Sequence, residues 1–298
     1  MIAVTLKQLW YFDALAKQRN FGRAAKACSI SQPALSLQIK ELEALFGAPL
    51  VERLPRDIRL TPLGEDLLEK ARQILFSVDE LEDLVRASKD PLAGRLRLGI
   101  IPTVAPYFLP TIIAALKSKF PKLDLLLREA MTATLIEEIQ EGGIDLAVVA
   151  LPISEPALTE YALFEEEFVL VRMPMDADKP VPSPETLRTM RLLLLGEGHC
   201  FRDQALSFCQ FGENKPSELM EGSSLSTLVQ MVGAGMGVTL IPEMAVELET
   251  RSADVSVARF PRARPSRKIG LVWRRTNPLS DQLMQVGAVI RASRDGEV

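Results

Sequence analysis

The chain is poor in the side chains that most often announce chemistry, with three cysteines and a single histidine in 298 residues. It also lacks an uninterrupted apolar run of the roughly 20 residues that a membrane helix needs. The opening residues, MIAVTLKQLWYFDAL, contain no basic stretch leading into an apolar one, so no export signal is expected. The expected location is the cytoplasm. In that reducing compartment three thiols cannot make a structural framework, so any that matter should matter as thiols. No internal repeat or low-complexity tract is present, and neither a metal site nor a cofactor is expected. An apolar share of 47% with 25% charged residues excludes a disordered or fibrous chain. The length corresponds to two domains at roughly 150 residues each.

Charge is unevenly distributed. The formal total is −4, yet residues 1–60 carry more Lys and Arg than Asp and Glu, so the rest is markedly acidic. A small basic unit on a larger acidic body is the layout of a binding module carried by a sensor or an enzyme. Apolar spacing predicts helices over residues 5–18 and 21–28, then a tight turn and a third helix that ends at Phe46. Ser31 is placed to cap that third helix, with Pro33 in its first turn, where a missing N–H costs nothing. Leu50 to Leu60 reads as two short strands around Pro55-Arg56-Asp57, a basic-tipped wing. Thr61-Pro62 opens a long helix whose residues Leu67, Ala71, Ile74, Val78, Leu81 and Val85 form a heptad seam suited to pairing two chains. The expected domains are a winged helix-turn-helix (1–60), a linker and dimerisation helix (61–90) and a regulatory body (91–298).

A helix-turn-helix sets the start of its second helix against base edges in the DNA major groove. Ser31, Gln32, Pro33 and Ser36 occupy that start, and Arg53 and Arg56 on the wing suit phosphate or minor-groove contact. Beyond Pro91, strands alternate with helices, which predicts α/β layers with largely parallel sheets. About 200 residues allow two small lobes with a cleft, and ligands of open α/β sheets sit at the carboxyl ends of strands.

Within that body, residues 196–209 stand out. The only histidine, His199, precedes Cys200, Arg202 follows, and Cys209 lies nine positions on. A thiol is made nucleophilic by nearby positive charge or by a helix N-terminus, and Cys200 lies at the predicted start of a helix after a glycine-rich turn. Two readings are open: buried cysteines acting as small hydrophobes, or a redox pair. A continuous helix from 200 to 209 would hold the two thiols about 13–14 Å apart on opposite faces. A disulfide tolerates only about 4.4–6.8 Å between Cα atoms, so bonding them would require the segment to unwind. Cys28, among Ala24, Ala25 and Ala27, reads as core.

Residues 21–65, FGRAAKACSISQPALSLQIKELEALFGAPLVERLPRDIRLTPLGE, resemble the winged-helix N-terminus of LysR-type transcriptional regulators. The blocks GIIPTVAPYFLP, FPKLDLLLREAMT, GHCFRDQALSFC and RKIGLVWR further resemble the hydrogen-peroxide-sensing branch of that family, the OxyR-type regulators. The resemblance implies an α/β fold: a winged helix-turn-helix, a linker helix and a two-lobed regulatory domain like a periplasmic binding protein. It implies a peroxidatic role for Cys200 and a resolving one for Cys209. Supporting roles map to Thr103 and Thr132 as hydroxyls beside peroxide, and to His199, Arg202 and Arg267 as holders of negative charge. Asp203 is expected to anchor one of those arginines. The implied partners are operator DNA, hydrogen peroxide, a dithiol reductant and further copies of the chain, as a dimer through 61–90 and a tetramer of dimers. Two other readings compete: a regulator that binds a small metabolite in the cleft, and a thiol peroxidase carrying a DNA-binding domain.

Overall fold

A computed structural model describes residues 4–53, 58–87, 94–209, 220–261 and 264–294. The chain divides into an N-terminal unit up to Val85 and a body formed by Arg86–Gln140 and Ile144 onward. In the first unit α1 (Leu6–Gln18), α2 (Phe21–Ala27) and α3 (Gln32–Phe46) pack around Phe12, Leu15, Leu35, Ile39 and Leu42, all fully buried. Each helix starts on a polar cap: Thr5, Asn20 and Ser31 accept backbone N–H groups of the first turns. Cys28 is buried in this core, as its alanine-rich surroundings predict. The wing is an antiparallel pair, β1 (Val51–Arg53) with β2 (Ile58–Leu60). Its tip, including Arg56, lies outside the described residues.

The long helix α4 (Pro62–Ala87) starts where Thr61 Oγ1 accepts the Gly64 N–H at 3.0 Å. Arg72 on α4 reaches Asp13 on α1 at 2.9 Å, fastening the start of the long helix to the three-helix unit. Along the heptad seam Ala71 is buried and Leu67 and Val78 are half-buried, but Ile74 and Leu81 are exposed by 47% and 61%. Val85 lies in the helix, its side chain outside the described set.

The body follows the order β3 (Gly94–Ile100), α5 (Ala105–Lys119), β4 (Leu123–Glu129), α6 (Thr132–Gln140), β5 (Leu146–Leu151) and the long β6 (Leu158–Arg172). Next come α7 (Pro184–Leu187), β7 (Leu192–Leu195), α8 (Cys200–Phe208), β8 (Met220–Gly222), α9 (Leu225–Gly233) and β9 (Val238–Pro242). The last elements are α10 (Val246–Glu249), β10 (Ser256–Arg259), β11 (Ser266–Arg274) and α11 (Ser280–Arg294). The first part of β6 pairs with β11, and its last residues pair with β9 and β10. This one strand thereby runs from one lobe into the other. Each lobe has its own apolar core, one around Leu98, Ile112, Val148 and Trp273, the other around Leu170, Leu194, Phe201 and Ile241.

The alternation of strands and helices predicts largely parallel sheets, and the body is mixed instead. Among the described strands β3 pairs parallel with β4 and β5, as does β7 with β8 and β9, but β6 and β11 run antiparallel to every neighbour. Those two long strands carry the chain between the lobes instead of entering by a helical crossover, the connection that makes strands parallel. Apolar alternation alone does not report strand direction. The short α7, α10 and β10 are additional to the elements that the sequence pattern predicts.

Candidate redox site and nucleic-acid interface

After β7 the chain turns through Gly196-Glu197-Gly198 into α8. Gly198 has φ +90°, a left-handed conformation that glycine adopts without strain. His199 is the N-cap residue and Cys200 the first residue of the helix, where backbone N–H groups lack intrahelical partners and favour an anion. Cys200 is half-buried and packs against the core of the first lobe. Around it Thr103, from the turn after β3, and Met131 and Thr132, at the end of β4 and the start of α6, complete a small pocket with Gly198 and His199. The pocket offers about 10 Å³ to the centre of a water-sized molecule, roughly what one water needs, so it has room for only a very small ligand. It lies at the carboxyl ends of β3, β4 and β7, where open α/β sheets bind ligands.

The polar lining is partly fastened and partly free. Arg267 on β11 is fully buried with its partner Glu166 on β6; its Nε donates to Glu166 Oε2 at 2.8 Å. Its Nη1 donates to Thr103 Oγ1 at 2.8 Å and its Nη2 to the Thr103 carbonyl at 3.0 Å. Thr132 Oγ1 is different: it is buried and has no hydrogen-bond partner among the described residues. A buried hydroxyl in that state costs about 1–3 kcal/mol, which a small polar ligand would recover.

Cys209 is fully buried in the core of the second lobe. Burial pushes its thiol up to about 11. It follows the last residue of α8, and its N–H still bonds to the Ala205 carbonyl at 3.1 Å. Nine helical steps therefore separate Cys200 from Cys209, a rise of about 13.5 Å. All three cysteines are free thiols.

Several expectations for this segment need correction. Asp203 faces solvent and anchors neither arginine. Arg202 binds Glu221 at 2.7 Å and the Leu195 carbonyl at 2.7 Å, so it fastens α8 to β7 and β8 and does not line the pocket. Helical phase explains both: Phe201 and Arg202 share the buried side of α8, and the next step of about 100° turns Asp203 out to solvent. His199 lies in the pocket, but burial lowers its proton affinity. That burial favours the neutral imidazole over a positive charge beside the thiol.

In the N-terminal unit the start of α3 is open to solvent: Ser31, Gln32 and Pro33 are exposed and Ser36 is half-buried. Ser31 Oγ accepts the Ala34 N–H at 3.3 Å, so its first duty is the cap. Arg53 is exposed on the wing, with its guanidinium 5.0 Å from the centre of the Phe21 ring.

Residues 6–65 match the bacterial regulatory helix-turn-helix of the lysR family, and residues 89–294 match the LysR substrate binding domain. The chain belongs to the LysR family. Among LysR relatives it is 41% identical to a probable hydrogen peroxide-inducible genes activator of Streptomyces viridosporus, over 98% of this chain and 95% of that protein. It is 38% identical to the DNA-binding transcriptional dual regulator OxyR of Escherichia coli, over 98% and 97%. Full-length OxyR from Pseudomonas aeruginosa, solved as a cysteine variant, superposes with a TM-score of 0.76 at 35% identity, covering 96% of this chain and 97% of that one. A hydrogen-peroxide-bound cysteine variant of OxyR from Corynebacterium glutamicum superposes at 0.67 with 33% identity, over 99% and 94%.

Glu166, Glu221 and the Tyr107–Glu249 pair escaped sequence reading. Tyr107 on α5 donates to Glu249 on α10 at 2.6 Å, and burial with that hydrogen bond raises its phenol above the ordinary range. For Glu166 a signal existed. It is the middle of three acids in the strand Phe164-Glu-Glu-Glu-Phe168, and period two turns the middle one inward with the phenylalanines. An acid at a core-facing strand position needs a cation, and Arg267 is that cation.

Proposed function

We propose that this LysR-family regulator senses hydrogen peroxide through Cys200 and stores the signal as a Cys200–Cys209 disulfide. The observation that carries the reading is the pocket itself. A half-buried thiol at a helix N-terminus shares a cavity too small for most metabolites with one clamped threonine hydroxyl and one that has no partner among the described residues. The Cys200 thiolate attacks one peroxide oxygen, the O–O bond breaks, and the other oxygen leaves as hydroxide, hydrogen-bonded by Thr103, Thr132 or a bound water and then protonated by the buffering solvent. Cys200 is then a sulfenic acid. Attack by the Cys209 thiolate forms the S–S bond and expels a second hydroxide, and a dithiol reductant in the cytoplasm resets the pair.

The burial of Cys209 orders these steps. A thiol held near 11 in a closed core cannot resolve the sulfenic acid until α8 unwinds. Such a design favours one event per reduction cycle over the turnover of a peroxidase. At the other end, Gln32 and Ser36 read base edges while Arg53 and Arg56 hold the backbone, with Ser31 and Pro33 setting the helix start. Chains pair through α4 and assemble further into a tetramer on operator DNA.

Mass mapping of thiols before and after stoichiometric peroxide tests the reading. The expected product is a Cys200–Cys209 disulfide with Cys28 untouched. Oxidation spread over all three thiols, or none at Cys200, would refute it. In a turnover assay with excess peroxide and a dithiol, consumption far above stoichiometry would favour the peroxidase reading.

A further inference from the structure

We infer that Glu166 is a positioning residue of the peroxide pocket, acting through Arg267 to turn the Thr103 hydroxyl into a hydrogen-bond donor. The inference rests on the peroxide reading above and adds a residue to it. The chain of contacts is direct. Glu166 and Arg267 have side chains with no solvent exposure, and Glu166 Oε2 takes the Nε–H of Arg267. That bond leaves Nη1 and Nη2 to grip one residue at two points, the hydroxyl and the carbonyl of Thr103. Guanidinium groups only donate. Thr103 Oγ1 must therefore accept from Arg267, and its own O–H is left to point elsewhere, with the pocket as the space Thr103 lines. A donor held there can stabilise the oxygen that leaves as the O–O bond breaks.

The other carboxylate oxygen is committed as well. Glu166 Oε1 accepts the N–H of Met244 at 3.1 Å, in the turn that precedes α10. The carboxylate cannot swing without giving up a backbone partner, which is how a positioning group keeps its neighbour in one rotamer. The charged and titratable groups near it are Arg267, Tyr107 and the Glu249 carboxylate that Tyr107 binds. Phe201 of α8 lies 5.3 Å beneath the Arg267 guanidinium, so the network also borders the helix that carries Cys200.

The test uses full-length reduced protein and two reagents on Cys200. Hydrogen peroxide needs a donor for its leaving oxygen, whereas iodoacetamide reports thiolate supply and access without that need. Glu166→Gln is expected to slow loss of the Cys200 thiol to peroxide by about tenfold to a hundredfold, the range of one lost donor or a little below it. Alkylation is expected to change by less than about threefold, taking threefold as the resolution for a bystander effect. Thr103→Val should show the same pattern, and the double variant should be no slower than the slower single, because both changes remove one donor. Multiplying losses, or a peroxide rate for Glu166→Gln close to the parent's, would overturn the inference. If Glu166→Gln leaves Arg267 unpaired and the chain unfolded, Glu166→Gln with Arg267→Gln removes both charges. That variant should be as slow as Thr103→Val, and a parental rate would again overturn the role. Failure of the peroxide reading is separable, since Cys200 in the parent would then react with peroxide no faster than a free thiol.

Discussion

Cys200 and Cys209 are nine residues apart and live in different environments. One is half-buried at a helix start beside a pocket, and the other is sealed in the second lobe's core. Native reduced protein at pH 8 should therefore label at Cys200 with an alkylating reagent, while Cys209 and Cys28, both raised by burial, stay unlabelled. Labelling of Cys209 at the rate of Cys200 would contradict the structure. The same shift links stability to pH. The unfolded chain ionises this thiol near its ordinary 9 and the folded chain near 11, so the contribution is intact below about 9 and is lost as pH climbs to about 11. Urea midpoints at pH 8 and 10.5 should fall less in Cys209→Ala than in the parent.

Helix α8 is firmly held, and the proposed disulfide requires its release. Phe201, Ala205 and Leu206 bury one face, Phe201 meets Phe168 edge-on at 4.7 Å, and Arg202 binds across to Glu221. A disulfide cannot form while those residues remain helical. Hydrogen exchange of residues 201–208 is expected to accelerate strongly after peroxide in the parent, and not in Cys200→Ser. Cys209→Ser should form the sulfenic acid at Cys200 but keep α8 protected. Unchanged protection in the oxidised parent would refute unwinding. At α3 the side chains proposed to read bases and the cap share one helix start. Gln32→Ala should reduce discrimination between operator and random DNA by about 1–3 kcal/mol, with little loss on random DNA. Filter binding on both sequences separates a base contact from a phosphate contact.

For the whole molecule, the exposed Ile74 and Leu81 of α4 are apolar side chains left at heptad positions beyond the protein's own core. A second chain covers them in the proposed dimer. Ile74→Asp is expected to convert dimers into monomers by light scattering and to weaken operator binding, because a single half-site then acts alone. An unchanged mass would remove α4 as the pairing surface. Remodelling α8 in one subunit would shift its packing against others, and interfaces with two discrete arrangements can turn such a local event into a new half-site spacing. Footprints of reduced and oxidised protein should differ in extent on one operator.

Local pattern by itself determined most of the element list. Caps at Ser31 and Thr61, glycine after Phe46, the 3.6-residue spacing of α4 and the apolar runs of β5 and β7 are written in neighbouring residues, so their helices and strands could be read directly. The string from Gly198 to Cys209 likewise marked both thiols and the geometric conflict between them. Tertiary structure decided what depends on distant partners. Residue 267 meets residues 103 and 166, Arg202 meets Glu221 instead of Asp203, and β6 and β11 run against their neighbours. Ion pairing and strand direction are set by which segments meet in space, and the free energy of a buried charge is fixed only when its partner arrives. The sequence could name Thr103, Thr132 and Arg267 by resemblance. Only the fold showed one hydroxyl clamped, the other without a partner among the described residues, and Glu166 behind the clamp.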